Sequence, residues 1–275
     1  WLKGALVGSN PRVCVSVHSE WPMGSLEFVT PEGFRVDGRK VQEPRRVHCS
    51  VGSDGRCEAD GYAVFELGNT KAVAYVYGPM EARQRSHSHH DRATLSCVLS
   101  TAAFAPLTRA KRARGDRHSQ ERSMWIQQTF ESAVLLDQYP RSQIKVFVQI
   151  LQADGGGVAA AVNAATLALA DAGIPMRDLV VACSAGMLGR RAALDLNREE
   201  ETAGGAQVLL AALAGLKQIL LLEVESKVPQ GEFPKLYETA LVGCEAIAEQ
   251  MRTCLLEHAA RSFSSRSSLR SGQKS

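Results

Sequence analysis

The sequence has no apolar run near the roughly 20 residues that a membrane-spanning helix requires. Aromatic residues make up only 6% of its 275 residues, and the formal net charge is only +3. A charge this small identifies no nucleic-acid or membrane partner, so any basic surface must be local. The opening stretch WLKGALVG is too short and too rich in glycine for a secretory signal. We therefore expect a soluble intracellular protein, with one large domain or two fused small ones.

The sequence also lacks cysteine pairs at metal-ligand spacing, and the pair Cys49 and Cys57 has no second pair to complete a site. An odd number of scattered cysteines is typical of small residues in a reducing compartment. The cysteines are Cys14, Cys49, Cys57, Cys97, Cys183, Cys244 and Cys254. The stretch HSHHD contains residue types that can bind a metal ion, but their alternation in an exposed loop argues against metal binding. Its candidate ligands are His87, His89, His90 and Asp91. We expect no metal site.

Hydrophobic periodicity indicates strands first and then strands interleaved with helices. The connection LGNTK has Gly and Asn where a hairpin needs positive φ. Strands are predicted over 62–67, 72–77, 93–104 and 145–152, and in DLVVACSAGML, AALDL, QVLLAAL and QILLLEVES. Helices are predicted over 123–138, about 159–172, and 233–260. This order favours an α+β fold in which mixed β-sheets pack with helices.

Composition divides the chain into three parts. Residues 1–30 lack clear periodicity and are predicted to be an irregular extension. Residues 31–258 form the main domain, with an N-terminal half over 31–172 and a C-terminal half over 173–258. Residues 259–275 are basic, rich in serine and of low complexity, so we predict a disordered tail there.

A glycine loop at residues 155–157 follows a predicted strand and opens into an alanine-rich helix. Backbone N–H groups at a helix N-terminus, backed by the helix dipole, make a natural anion site. The residue after the loop is Val158, which supplies no cation for a bound phosphate. The alternative, which we favour, is that the loop only packs the helix tightly against the sheet.

A basic segment, residues 109–122, is the densest positive stretch of the chain. Such a run is usually a solvated loop, although a dense basic segment can also contact a nucleic-acid backbone. The candidate residues for such contact are Arg109, Lys111, Arg112, Arg114 and Arg117.

Five ordered motifs resemble the RNase PH family, and within it the ring subunits of the eukaryotic RNA exosome. They are GFRVDGRK, FELGNTKAVAYVYGP, PRSQIKVFVQILQADGG, VNAATLALADAGIPMRDLVVACSAG and LDLNREEETAGG. The resemblance implies an RNase PH-like fold related to ribosomal protein S5 domain 2. It also implies a ring of RNase PH-like subunits that works with cap subunits and a separate hydrolytic nuclease on single-stranded RNA. The implied location is the nucleus, nucleolus and cytoplasm, with no membrane contact.

The resemblance also implies where a phosphate-dependent active site would lie. Active members follow the glycines Gly155 and Gly156 with Thr and Arg to hold phosphate, but this sequence has Gly157 and Val158. Two aspartates six positions apart serve catalysis in the family. Asp195 matches the first, whereas Glu201 replaces the second and adds a methylene.

In the family the basic segment faces the RNA path, so the resemblance favours contact of this segment with an RNA backbone. One basic residue of the segment also helps to hold phosphate in the family. The matching position is His118, or Arg117 if the alignment slips by one. An ordinary acidic turn remains an alternative for residues 199–201, and Gln207 stands where many active relatives have an acid.

These departures favour a non-catalytic RNA-path subunit of the exosome ring, which would need no cofactor and would support 3′→5′ RNA processing and decay. The alternative is an active 3′→5′ exoribonuclease that uses inorganic phosphate, and Mg²⁺ at its carboxylates, and releases nucleoside diphosphates. A third hypothesis, an unrelated phosphate-loop enzyme, is weak because the glycines lack the Lys-Ser/Thr of a P-loop.

Overall fold

The computed structural model describes residues 28–30, 32–52, 58–81, 90–109, 116–189 and 191–272. Among these residues the chain forms nine strands and four α-helices, in the α+β order that the sequence predicts. The predicted extension over 1–30 lies almost wholly outside the described residues. Its last part does not, since Val29 forms a β-bridge with Arg35.

The first sheet contains five strands in the order β1-β2-β3-β5-β4. They are β1 (Val47–Val51), β2 (Gly61–Leu67), β3 (Thr70–Glu81), β4 (Thr94–Thr101) and β5 (Ser142–Gln152). The predicted hairpin is confirmed, because β2 and β3 pair antiparallel with Leu67 opposite Thr70. Strand β4 runs parallel to β5, and the helix α1 (Arg117–Ala133) and a short 3-10 helix (Leu136–Gln138) connect them.

Helix α1 begins six residues earlier than the periodicity predicts. Its buried residues, Ile126, Thr129, Phe130 and Ala133, cover one face of the sheet. Because the helix starts at Arg117, the end of the basic segment is helical rather than a loop.

The second sheet contains four antiparallel strands in the order β7-β6-β8-β9. They are β6 (Val180–Leu188), β7 (Arg191–Leu194), β8 (Gln207–Leu213) and β9 (Ile219–Val224). Helix α2 (Gly157–Asp171) packs against β2 and β3 of the first sheet and β6 of the second. The two predicted halves therefore share one continuous apolar core with α2 at its centre.

Buried polar bonds tie α2 to the second sheet. The Asn163 amide donates to the Ala182 carbonyl at 2.9 Å and accepts from the Ala182 N–H at 2.8 Å. The Thr166 hydroxyl donates to the Val180 carbonyl at 2.8 Å. Buried polar groups are tolerated when they are paired in this way. These bonds fix where the N-terminus of α2, and hence the glycine loop, meets the second sheet.

The acidic turn and the tail both differ from prediction. Residues 198–202 form a short helix, α3 (Arg198–Thr202), rather than a plain turn. The last helix, α4 (Phe233–Gly272), packs on β6, β8 and β1 and continues past residue 258. The backbone of 259–272 is thus helical where a disordered tail was predicted, because the helix simply propagates beyond its packed part. No described helix is long and apolar enough to cross a membrane.

Candidate phosphate site at the glycine loop

The glycine loop has the backbone shape of an anion cradle. Gly155 and Gly156 have φ of +78° and +62°, and Gly156 caps helix α2. A Cβ on Gly155 would collide with the Leu196 carbonyl, so the loop lies directly against the segment that follows β7. Gly157 already has helical geometry, and a Cβ there would meet only the end of the Ile150 side chain, at 3.3 Å. The first two glycines are therefore required, whereas the third could be replaced.

The loop already holds an anion that belongs to the chain itself. The Gly156 N–H donates to Glu201 Oε1 at 2.7 Å. Burial raises the pKa of the Glu201 carboxyl, while the Gly156 hydrogen bond and the charge of Arg45 act in the opposite direction. The carboxylate of Glu201 thus takes the amide that would otherwise be available to a phosphate oxygen.

Helix α3 is anchored so that Glu201 reaches the loop. Glu200 accepts from the backbone N–H of Asn197 at 2.8 Å and forms a buried ion pair with Arg35. Arg35 also donates to the carbonyls of Leu194 and Asp195, at 2.6 and 2.9 Å. This network fixes the short helix against the end of β7.

Asp195 lies on the other side of the loop and is completely buried. Its two carboxylate oxygens accept from Arg45, Oδ2 from Nε at 2.8 Å and Oδ1 from Nη2 at 2.7 Å. The Arg45 backbone N–H also donates to Oδ2, at 2.9 Å. Burial alone would lower the pKa of Arg45, but the hydrogen bonds and charge of Asp195 outweigh burial and raise it.

Asp195 also has a φ of +53°, which is uncommon for a residue other than glycine. Arg45 continues past Asp195 to the loop, where it donates to the Asp154 carbonyl and, at 3.2 Å, to the Gly155 carbonyl. A Cβ built on Gly156 would lie 3.5 Å from Asp195 Oδ1, so the carboxylate and the loop are neighbours. The structure therefore brings Asp195, Glu201 and the glycine loop together.

Val158 and His118, two positions of the predicted phosphate site, make none of the hydrogen bonds described above. Val158 is partly buried and packs against the apolar core. His118 is exposed in the first turn of α1. Arg117, beside it, is exposed and pairs with Glu121 on the same helix. Surface pairs of this kind contribute little to stability, about 0.3–0.5 kcal/mol.

Arg122, a cation of the basic segment, lies near the site although it is not among the predicted phosphate ligands. Arg122 is half-buried, and its charge acts on Glu201. It follows His118 by one helical turn, so the start of α1 at residue 117 places both on one face of the helix. The sequence would have indicated that Arg122 and His118 share a face only if α1 had been predicted to start at residue 117.

The RNA-binding candidates are placed only in part. Arg109 is exposed at the end of the loop after β4. Lys111, Arg112 and Arg114 lie outside the described residues, as do His87 and His89 of the HSHHD stretch. His90 and Asp91 are exposed. Within the described ranges, no three His, Cys, Asp or Glu side chains gather at a point where they could hold a metal ion.

Comparison with known proteins agrees with this geometry. Residues 43–175 match the model of the 3′ exoribonuclease family, domain 1 (RNase PH). The chain is 48% identical to the exosome complex component RRP41 homolog of Arabidopsis thaliana over 85% of its length and 96% of that protein. It is 45% identical to exosome complex component RRP41 of Mus musculus over 86% of its length and 96% of that protein.

The fold comparison points the same way. The crystal structure of rice (Oryza sativa) Rrp46 superposes with a TM-score of 0.71 at 26% identity, over 80% of this chain and all of that one. The resemblance seen in the five sequence motifs is thus confirmed both by sequence and by fold. The chain belongs to the RNase PH family.

Proposed function

We propose that this chain is a non-catalytic ring subunit of an RNA exosome core, which contributes to the RNA path while a partner supplies nuclease activity. Its similarity to RRP41 proteins over most of their length supports the exosome role. The hydrogen bond from Gly156 to Glu201 is the observation that carries the non-catalytic assignment. A phosphate-dependent enzyme must bind phosphate at this loop, and here a carboxylate of the same chain takes the amide.

The surroundings of the loop support the same conclusion. A charge-assisted hydrogen bond to phosphate contributes roughly 1.5–3 kcal/mol, and Val158 cannot form one. Both oxygens of Asp195 accept from Arg45, and Oε1 of Glu201 accepts from Gly156. Each carboxylate thus already has a partner within the chain, which argues against the two acting together as ligands of Mg²⁺.

A direct test uses the assembled ring with no hydrolytic partner, labelled RNA and inorganic phosphate. We expect no release of nucleoside diphosphates. The matched variant restores the family pattern with Gly157→Thr, Val158→Arg, Glu201→Asp and His118→Arg. A side chain at 157 would meet only the flexible end of Ile150, at 3.3 Å, which must shift slightly to admit Thr. Arg at 158 would supply a bidentate phosphate donor, and the shorter Asp would withdraw from the Gly156 amide.

We expect phosphate-dependent release of nucleoside diphosphates by the restored variant only. Robust release by the unmodified chain, lost on Val158→Asp, would instead favour the second candidate function, an active phosphorolytic exoribonuclease. The observation that favours this candidate is the position of Asp195 next to the loop, with Arg122 close enough to act on Glu201.

The RNA-path role has its own test. Each phosphate contact contributes about 0.7 to the salt slope of single-strand binding. Changing Arg112 and Arg114 to Ala should therefore weaken binding of the ring to every RNA sequence alike and reduce that slope. An effect confined to one RNA sequence would show base recognition and contradict a backbone-binding role for the basic segment.

A further inference from the structure

Strand β1 and helix α4 bring two cysteines together from distant parts of the chain. Cys49 lies in β1 and Cys254 in α4, and neither is fully buried. Each of these thiols affects the pKa of the other, so the two side chains lie close enough to interact. The remaining described cysteines, Cys97, Cys183 and Cys244, are all buried.

Val51 and His258 hold the strand and the helix in register near these cysteines. Cys49 and Val51 point to the same face of β1, and Cys254 and His258 lie one turn apart on α4. His258 Nδ1 is 3.0 Å from the Val51 carbonyl oxygen, and Nε2 is 3.4 Å from a carboxylate oxygen of Asp171 at the end of α2. The imidazole thus attaches α4 to both β1 and α2, one helical turn from Cys254.

The backbone at the end of β1 lies unusually close to α4. A Cβ on Gly52 would collide with the His258 ring, so the contact requires glycine there. A disulfide requires the two Cα atoms to lie within about 4.4–6.8 Å. The contacts of His258 with Val51 and Gly52 bring Cys49 and Cys254, two residues and one helical turn earlier, onto facing surfaces of the strand and the helix.

We propose that Cys49 and Cys254 are a dithiol site that a low-molecular-weight disulfide, such as glutathione disulfide, oxidises to an intramolecular disulfide that locks α4 onto the first sheet. The Cys254 thiolate attacks one sulfur of glutathione disulfide, and one glutathione leaves as a thiolate. The Cys49 thiolate then attacks the Cys254 sulfur of the mixed disulfide and releases the second glutathione. The two protein thiols lose two electrons and two protons, and glutathione disulfide becomes two glutathione molecules.

The environment sets the order of the two attacks. Burial raises the pKa of the Cys49 thiol to about 12. Burial also raises the pKa of Cys254, but the hydrogen bond from Cys49 opposes that effect. Cys254 therefore forms the first thiolate. Because thiolate is the attacking species, the rate should rise about tenfold per pH unit below its pKa.

The test treats the reduced full chain with glutathione disulfide at about pH 8.5, a value chosen to raise the thiolate fraction. Free thiols are then blocked with iodoacetamide, and intact mass and peptide maps are recorded. We expect loss of two hydrogens, a peptide pair joined through Cys49 and Cys254, and reversal by dithiothreitol. Closing so long a loop should also raise Tm, by on the order of 5–10 °C.

Three variants make the test specific. Cys49→Ser should stop at a stable glutathione adduct on Cys254. Cys254→Ser should leave Cys49 reduced. Cys97→Ser, a buried control, should form the disulfide as the parent does. A persistent glutathione adduct in the parent, or a disulfide from either residue to another cysteine, would overturn the proposal.

Discussion

The two carboxylates of the candidate site differ in what holds them. Asp195 is fully buried, and Arg45 binds both of its oxygens. Glu201 is only partly buried, and one of its oxygens accepts from a neutral backbone amide of the glycine loop. Asp195 is therefore part of the scaffold that joins the first sheet to the second, whereas Glu201 is held at the loop by a single neutral amide.

The physical basis of this difference is the partner's charge. A bidentate guanidinium–carboxylate pair is among the strongest protein hydrogen-bond arrangements, and removing one partner leaves the other charge buried. An amide offers no opposite charge, so the cost of burying Glu201 is only partly offset and its pKa is raised. Arg45 lies between the two carboxylates and also donates a hydrogen bond to the carbonyl of Gly155 in the loop.

The largest effect is expected from Asp195→Asn. The substitution leaves the buried Arg45 guanidinium without its counter-charge and should lower the free energy of unfolding by about 3 kcal/mol. Chemical denaturation of the full chain measures this difference. Because the substitution disturbs the fold, loss of any activity in this variant would not identify Asp195 as a catalytic residue.

A matched control is Asp37→Asn. Asp37 also pairs with an arginine, Arg39, at 2.9 Å, but its side chain is 35% exposed. Surface pairs contribute about 1 kcal/mol or less, so this variant should be close to the parent. Equal losses in the two variants would show that Asp195 is not specially committed to the scaffold.

Local sequence signals predicted most of the elements. The β2–β3 hairpin followed from the Gly68-Asn69 turn, and the end of α2 from Gly173 and Pro175. The start of α1 was missed because its apolar face begins only near Trp125, although Gly115 and Asp116 precede the helix. The length of α4 was missed because its last turns are rich in serine and arginine and carry no apolar face. Element boundaries depend on packing that a local pattern does not contain.

The sequence predicted which residues belong to the site, but not which contacts they make. The five motifs identified Asp195, Glu201 and the glycine loop as neighbours in the family. No local signal shows that Arg45 binds Asp195, since the two are far apart in the sequence. Likewise, substitution of Asp by Glu at 201 indicated lost chemistry, whereas the structure shows a specific gain, the contact with Gly156. Long-range contacts of this kind depend on how the two sheets sit against α2.

A smaller effect is expected from Arg45→Lys. Lysine keeps the positive charge near Asp195 but cannot bind both oxygens or reach the loop carbonyls at the same time. We expect a loss of about 1–2 kcal/mol in the free energy of unfolding, because hydrogen bonds to charged groups contribute about 1.5–3 kcal/mol each and the ion pair remains. A loss as large as that of Asp195→Asn would mean that the bidentate geometry, rather than the charge, holds the site together.

The smallest effect, and the one most specific to Glu201, is the pH dependence of Glu201→Gln. Glutamine can still accept from the Gly156 N–H but carries no charge to bury, so the variant should lie within about 1 kcal/mol of the parent at neutral pH. Because the folded-state pKa of Glu201 is raised, the folded parent takes up a proton at a higher pH than the unfolded chain does. The parent therefore gains stability relative to the variant as the pH falls from the raised pKa to the ordinary one.

Unfolding free energies of parent and variant, measured from about pH 8 down to about pH 4.5, near the ordinary pKa of glutamate, would show this change. Any advantage of Glu201→Gln should be greatest at the upper end and shrink as the pH falls. Glu199→Gln, on the exposed side of the same short helix, controls for the loss of one negative charge. If the advantage instead grew as the pH fell, the carboxylate of Glu201 would be net stabilised by the loop and by Arg45, and Glu201 would resemble Asp195 as a fixed part of the scaffold.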